Sequence, residues 1–186
     1  MAQERAISSG PTELQVAFAD ETAFRAWYDR AMPRVYSYLV SRTGDRDSAE
    51  ELTQQTFVAA VAQRHGFDGQ ADSVTWLIAI ARHKLADQFR ERDRVERRQL
   101  KLEVREVAVE GSADAWAAAE VRDAILAALA RLPAAQQAAL LFADLDDLPV
   151  REIARLLGRR EGATQSLITR ARESFRKAYR EDRIDG

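Results

Sequence analysis

The residues able to do chemistry in this 186-residue chain are quickly counted. Asp144, Asp146 and Asp147 are the densest carboxylate group, but they lack the glycine and distal glutamate of a calcium loop, so they read as an acidic turn. His65 and His83 are the only histidines and lie far apart, which argues against a histidine-based zinc site. With no cysteine, a disulfide scaffold, a thiolate metal site and a cysteine nucleophile are all excluded. There is no phosphate-cradling glycine loop and no nucleophile–base pair. The sequence is therefore read as having no catalytic residue, no metal and no cofactor.

What remains is charge, and it is segregated. The net charge is only −2, yet from Arg82 to Arg105 nine basic residues face five acidic ones. From Glu106 to Val150 two basic residues face eight acidic ones, and from Arg151 to Arg180 nine face three. Two basic blocks around an acidic one point to two nucleic-acid surfaces. Most of the cations are arginine, whose planar fork suits phosphate.

The elements that must carry these blocks are helices. Alanine, leucine, glutamate, glutamine and arginine dominate, while glycine and proline gather at break points. With 46% hydrophobic and 31% charged residues the chain can bury a core. A first helix is expected from about Asp20 to Arg42, with Phe24, Trp27, Val35, Tyr38 and Leu39 apolar and Pro33 bending it. Gly44 ends it, and Asp45 or Asp47 caps a second helix to about Arg64 with Ala49, Leu52, Thr56 and Ala60 on one side. After the loop Gly66–Ala71, Asp72 or Ser73 caps a third helix to about Arg98. Its expected core stripe is Val74, Ile78, Ala81, Leu85 and Phe89.

A second helical block is expected from near Ala115, with breaks at Leu132-Pro133 and at Asp146 to Pro149. Pro149 suits a first helical turn, Ile153, Ala154 and Leu157 form an apolar side, and Gly158 stops the helix. A last helix follows from about Glu161 to Arg180, with Thr164, Ile168, Ala171 and Phe175 inward. Two helices joined by a tight glycine-containing turn, with arginines on the second, make a helix-turn-helix. Such a unit lets the second helix enter a major groove while arginines grip phosphates.

Two sets of residues carry a family resemblance. The first is Tyr36-Ser37-Tyr38-Leu39 through Gly44-Asp45-Arg46, Ala49 through Phe57, Phe67-Asp68-Gly69, Thr75-Trp76-Leu77 and Ile80-Ala81-Arg82. The second is Leu132-Pro133, Glu152-Ile153-Ala154, Leu157-Gly158 and Arg170-Ala171-Arg172. In this order and spacing, over about Asp20 to Arg180, the chain resembles bacterial sigma factors of the extracytoplasmic-function group. The resemblance implies an all-α fold of two small helical domains, a region 2 bundle and a region 4 helix-turn-helix, joined by an acidic linker. The expected layout is a tail at 1–19, region 2 at 20–98, a linker at 99–115, region 4 at 116–181 and a tail at 182–186.

The implied function is to bind core RNA polymerase, recognise −10 and −35 promoter elements, and help open the DNA. Implied partners are the β′ coiled coil and β subunit of core polymerase, promoter DNA and an anti-sigma factor. By this resemblance the second helix docks on the β′ coiled coil. Glu51, Gln54, Gln55 and Val58 fall at spacings of three and four, which gathers them on one side. The family's usual Asp-Leu-x-Gln-Glu is here Glu51-Leu52-Thr53-Gln54-Gln55.

The −10 element is assigned to Phe67, Trp76, Arg82, Lys84, Arg90 and Arg94, with arginines and lysine toward phosphates and Phe67 read as a loop anchor more than a base contact. A flipped base recovers about 1–3 kcal/mol by stacking on an aromatic ring, and Trp76 is read equally as such a platform or as core. The family's Tyr-Arg pair and later Asn are replaced by Ile78-Ala79 and His83. In the last helix, Gln165, Ser166, Thr169 and Arg170 are expected to face the −35 groove, while Arg172 and Arg176 hold the backbone. Two positions basic in the family's pattern are here Gln165 and Leu167. Gln165 can pair bidentately with adenine.

A second function class is a stand-alone helix-turn-helix regulator with an N-terminal sensor or dimerisation module. The first-half motifs argue against it, since a simple repressor needs no polymerase-docking helix. Val74 to Ala81, the longest apolar stretch, is too short to span a bilayer, so no membrane insertion is expected. No hydrophobic region follows the opening Met1-Ala2-Gln3-Glu4-Arg5, and the protein is expected to be cytoplasmic.

Overall fold

A computed structural model describes residues 12–99 and 117–182. The expected linker at 99–115 therefore lies almost wholly outside the described residues, as do 1–11 and 183–186. Every regular element among the described residues is helical: α1 (Glu13–Ala17), α2 (Glu21–Thr43), α3 (Arg46–Gln63), α4 (Ser73–Gln99), α5 (Ala117–Ala130), α6 (Ala134–Leu140), α7 (Val150–Leu157) and α8 (Glu161–Asp182). A 3₁₀ turn follows α3 at Arg64–Gly66, and a π turn, Leu141–Leu145, continues α6. The chain divides into two compact units, Met1–Lys84 and Leu85–Gly186.

In the first unit α2 buries Trp27, Ala31, Val35 and Leu39, one residue per turn. α3 answers with Ala49, Leu52, Thr56, Phe57 and Ala60. The two buried threonines of α3 solve their polarity locally, since Thr53 and Thr56 hydroxyls each donate to the carbonyl four residues back, both at 2.7 Å. α2 runs unbroken through Pro33, which lies on its exposed side. Gly44 ends the helix at φ 67°, the left-handed conformation that favours glycine. Asp45, rather than Asp47, caps α3 by accepting from the Ser48 N–H at 2.9 Å.

Two expectations for this unit need correction. Residues 12–19 are not a tail: Leu14 and Ala17 of α1 are buried, at 1% and 4% exposure. Apolar burial holds this short helix, assisted by a reciprocal cap between Thr12 and Gln15. The buried residues of α4 in this unit are Ser73, Leu77, Ile80 and Ala81, while Val74 and Ile78 are only half-buried; Leu85 and Phe89, also buried, fall in the second unit. The register is set by Ser73, which is 1% exposed and accepts from the Trp27 indole N–H at 2.9 Å. Leu77, Ile80 and Ala81 then follow at helical spacing.

In the second unit α6 is alanine at four of its seven positions, and all four, Ala134, Ala135, Ala138 and Ala139, are buried, which lets neighbouring backbones approach closely. Pro133 supplies no side-chain cap for α6. That role falls to Glu96, whose carboxylate accepts from the Ala134 N–H at 3.0 Å. Pro149 occupies the N-cap of α7, one position before the expected first turn. Gly158 stops α7 at φ 62°, and the next N–H, of Arg159, returns to the Ala154 carbonyl at 2.9 Å. α8 buries Thr164, Leu167, Ile168, Ala171 and Ala178, with Phe175 only half-buried rather than inward.

Candidate partner and nucleic-acid interfaces

α3 presents Glu51, Gln54, Gln55 and Val58 together on its exposed side. The geometry is forced by burial of Leu52, Thr53, Thr56 and Phe57, which leaves these intervening positions outward. Val58 is 71% exposed and Val61 36%, so this face has an apolar centre without a partner among the described residues. The Gln55 amide donates to Glu51 at 3.0 Å, pre-ordering the polar edge. An apolar centre with a polar edge suits protein docking better than phosphate.

The loop before α4 and the first turns of that helix carry the second candidate group. Phe67 is 8% exposed and packs on Trp76 with ring centres 5.4 Å apart. Of its two readings, loop anchor and base contact, the burial fits the first, and its place among the −10 contacts is corrected: the ring offers no open face to a base. Trp76 is half-buried and also lines an open surface pocket with Gln63, His65 and Gly66, so it both packs and reaches the surface. Asp72 caps α4, accepting from the Val74 and Thr75 N–H groups and from the Thr75 hydroxyl. The Thr75 bonds hold the Asp72 carboxyl below its ordinary value of 3.8.

Farther along α4, Arg82 and Lys84 are half-buried, whereas Arg90 and Arg94 are exposed. The exposed pair is already engaged, Arg90 with Asp87 and Arg94 with Glu91 at 2.5 Å. Asp93 bridges Arg97 and Arg159, each at 3.0 Å. Carboxylates one turn away thus answer the arginines that the charge count singled out.

α8 brings Gln165, Ser166, Thr169, Arg170, Arg172 and Arg176 to the exposed surface. The hydroxyls of Ser166 and Thr169 donate to carbonyls four residues back, at 3.0 and 3.2 Å, which turns their lone pairs outward. Arg170 donates to the Ser166 carbonyl at 3.3 Å. Arg172 grips Asp144 with two bonds, of 2.6 and 3.3 Å, and this neighbour raises the guanidinium's affinity for its proton. One member of the acidic turn thereby has a partner in α8. Leu167 is 5% exposed, so it is a core position rather than a lost phosphate contact.

Sequence reasoning missed Glu13 and Thr12, and read Ser73 only as an alternative cap of α4. Glu13 accepts from the Ser73 N–H at 3.2 Å and from Arg30 at 2.7 Å. Partial burial pushes its carboxyl up, but hydrogen bonds from Ser73 and the Arg30 charge outweigh this and hold it below 4.5. The available signal was Thr12-x-x-Gln15, a capping-box spacing. Among the described residues no cluster of three or more potential ligands is placed to hold a metal ion. No described helix is long and apolar enough to cross a membrane.

Residues 27–95 match the Sigma-70 region 2 family and residues 122–175 match Sigma-70, region 4. The chain is 32% identical over 162 residues to the ECF RNA polymerase sigma factor BldN of Streptomyces coelicolor, covering 86% of this chain and 61% of that one. It is 30% identical over 159 residues to the ECF RNA polymerase sigma factor RpoE of Cereibacter sphaeroides, covering 85% of this chain and 87% of that one. Among solved structures, the sigma factor RpoE of Bartonella quintana, in complex with the anti-sigma factor NepR, shares the fold. That likeness has a TM-score of 0.52 and 23% identity, over 86% of this chain and 98% of the other.

Proposed function

Because the chain belongs to the extracytoplasmic-function RNA polymerase sigma factors, a family that is not an enzyme class, we propose a division of its surface between polymerase and promoter. The exposed side of α3, with Glu51, Gln54, Gln55 and Val58, docks on core RNA polymerase. The 67–73 loop and α4 meet the downstream −10 element, and α8 reads the upstream −35 element. In this reading 20–98 and 116–181 act as the two working domains.

The observation that carries the reading is the contrast of the two exposed faces. An apolar, weakly charged face on α3 suits a protein, and a face of neutral hydrogen bonders next to arginines on α8 suits DNA. A glutamine pairing bidentately with adenine contributes about 1–3 kcal/mol of discrimination. Each phosphate neutralised adds about 0.9 to the salt slope. Trp76 supplies the aromatic surface on which an unpaired downstream base can stack.

The protein works in the cytoplasm, where polymerase and promoters are, and has no turnover of its own. A protein inhibitor of the anti-sigma class is a further partner, supported by the B. quintana structure, in which a protein of the same fold is bound to one. Run-off transcription on a genomic fragment library tests the function. Core polymerase with this chain should yield discrete promoter-dependent transcripts absent with either alone. If no fragment yields a chain-dependent transcript, the assignment is wrong.

A further inference from the structure

Glu13 lies fourteen residues before the region 2 match begins at residue 27, so the family pattern gives it no role. In the structure it joins three elements. It sits in the first turn of α1, accepts from Arg30 of α2, and accepts from the N–H of Ser73, the first residue of α4. Ser73 in turn receives the buried indole N–H of Trp27 at 2.9 Å. The first N–H groups of a helix have no partner within it. Asp72 serves those of Val74 and Thr75, and the Ser73 N–H is left to a carboxylate sixty positions away in sequence.

The same end of α1 touches the loop. Gly69 adopts φ +73°, and a Cβ built there would stand 3.3 Å from the Thr12 methyl. The loop preceding α4 is therefore held at two points by the Thr12–Glu13 segment: over Gly69 and at Ser73. Between them lie Gln70, Ala71 and Asp72, all exposed, with Asp68 closing a small turn by accepting from the Gln70 N–H at 3.0 Å.

We propose that Glu13 is a positioning residue for promoter reading: by tying α1 and Arg30 to Ser73 it fixes the 67–72 loop, and hence the discrimination at the downstream element. This rests on the reading of that loop as the downstream contact. Glu13 itself touches no DNA; it acts through the loop's register against α4. Because it is surface-accessible, replacing it leaves the buried core of α2 and α3 intact.

The test uses holoenzyme assembled from core polymerase and the full chain carrying Glu13→Ala or Glu13→Gln. Open-complex formation is compared on matched promoters and on promoters with single-base changes in the downstream or the upstream element. Loss of the charged and hydrogen-bonded tie should lower downstream discrimination about fivefold in Glu13→Ala, as expected for a tie worth up to 1 kcal/mol. Glu13→Gln keeps an acceptor for Ser73 and should recover part of it. Upstream discrimination and affinity for core polymerase should stay at the parent level, and amide exchange should quicken at 67–75. A Gln70→Ala variant reports on the loop reading itself. If Gln70→Ala alters downstream discrimination and Glu13→Ala does not, the positioning role is overturned while the loop reading stands. If neither alters it, the loop reading falls and the positioning role falls with it. Equal losses at both elements, with a lowered melting temperature, would also overturn the proposal, since they mark general destabilisation.

Discussion

α4 and α8 are both long helices bearing several arginines, but they hold their charge differently. Along α4, Asp87 answers Arg90, Glu91 answers Arg94 and Asp93 answers Arg97, each within one turn. In α8 the exposed first half carries Gln165, Ser166 and Thr169, and Arg172 is paired with Asp144 from outside the helix. A ladder of ion pairs makes a soluble helix with modest attraction for phosphate. Neutral hydrogen bonders flanked by arginines make a surface able to tell one base pair from another. Counting cations alone ranks the two alike; their partners separate them.

The strongest way to break this contrast is to remove the platform under α8. Ile153 of α7 is fully buried, and Ile153→Ala should cost about 2–5 kcal/mol in denaturant unfolding of the second unit. Upstream-element binding should fall with it. Next in size, Gln165→Ala should remove about 1–3 kcal/mol of discrimination at one upstream base pair, measured by binding across single-base variants. Unchanged binding across all variants would mean that α8 does not read bases through Gln165.

A smaller effect sharpens the comparison. Asp144→Asn releases Arg172 and should steepen the salt dependence of upstream binding by about 0.9. The ion pair it removes is exposed and contributes little to stability, so the melting temperature should hardly move. A salt slope identical to the parent's would show that Arg172 does not approach phosphate.

The smallest effect concerns the caps of the first unit. Asp45 and Asp72 both have folded-state carboxyls below 3.8, held there chiefly by Ser48 and Thr75 respectively. A depressed carboxyl stabilises the fold above its unfolded value and loses that contribution as pH falls through the folded value. Thermal melts should therefore show this part of the stability flat from pH 7 to about 5 and declining below about 4. Asp45→Ala should flatten part of that decline.

Much of this organisation was readable in the residues. The stop at Gly158, Pro149 before α7, and Thr164, Ile168 and Ala171 at spacings of four and three gave the helix-turn-helix directly. The polar face of α3 followed from the burial pattern of Ala49, Leu52, Thr56 and Ala60. What escaped was set by polar atoms that go inside. Ser73 is buried because Trp27 needs an acceptor, and that choice moved the α4 stripe from Val74 and Ile78 to Leu77 and Ile80. α1 has only five residues, and its two anchors, Leu14 and Ala17, are too few to make a periodic pattern. Phe67 was readable as a loop anchor rather than a base platform, but the ring it anchors on, Trp76, was not. Carboxylates spaced three and four from arginines in α4 were visible, but a sum of charges conceals pairing.

The central claim, that the face of α3 serves a protein and the face of α8 serves DNA, is tested most directly by titrating labelled chain with core polymerase in the absence of DNA. The account predicts saturable one-to-one association that Val58→Glu weakens at least about tenfold, because it buries an unpaired charge at an apolar interface centre, and that Gln165→Ala leaves alone. Absence of association, or association indifferent to Val58→Glu, would contradict it.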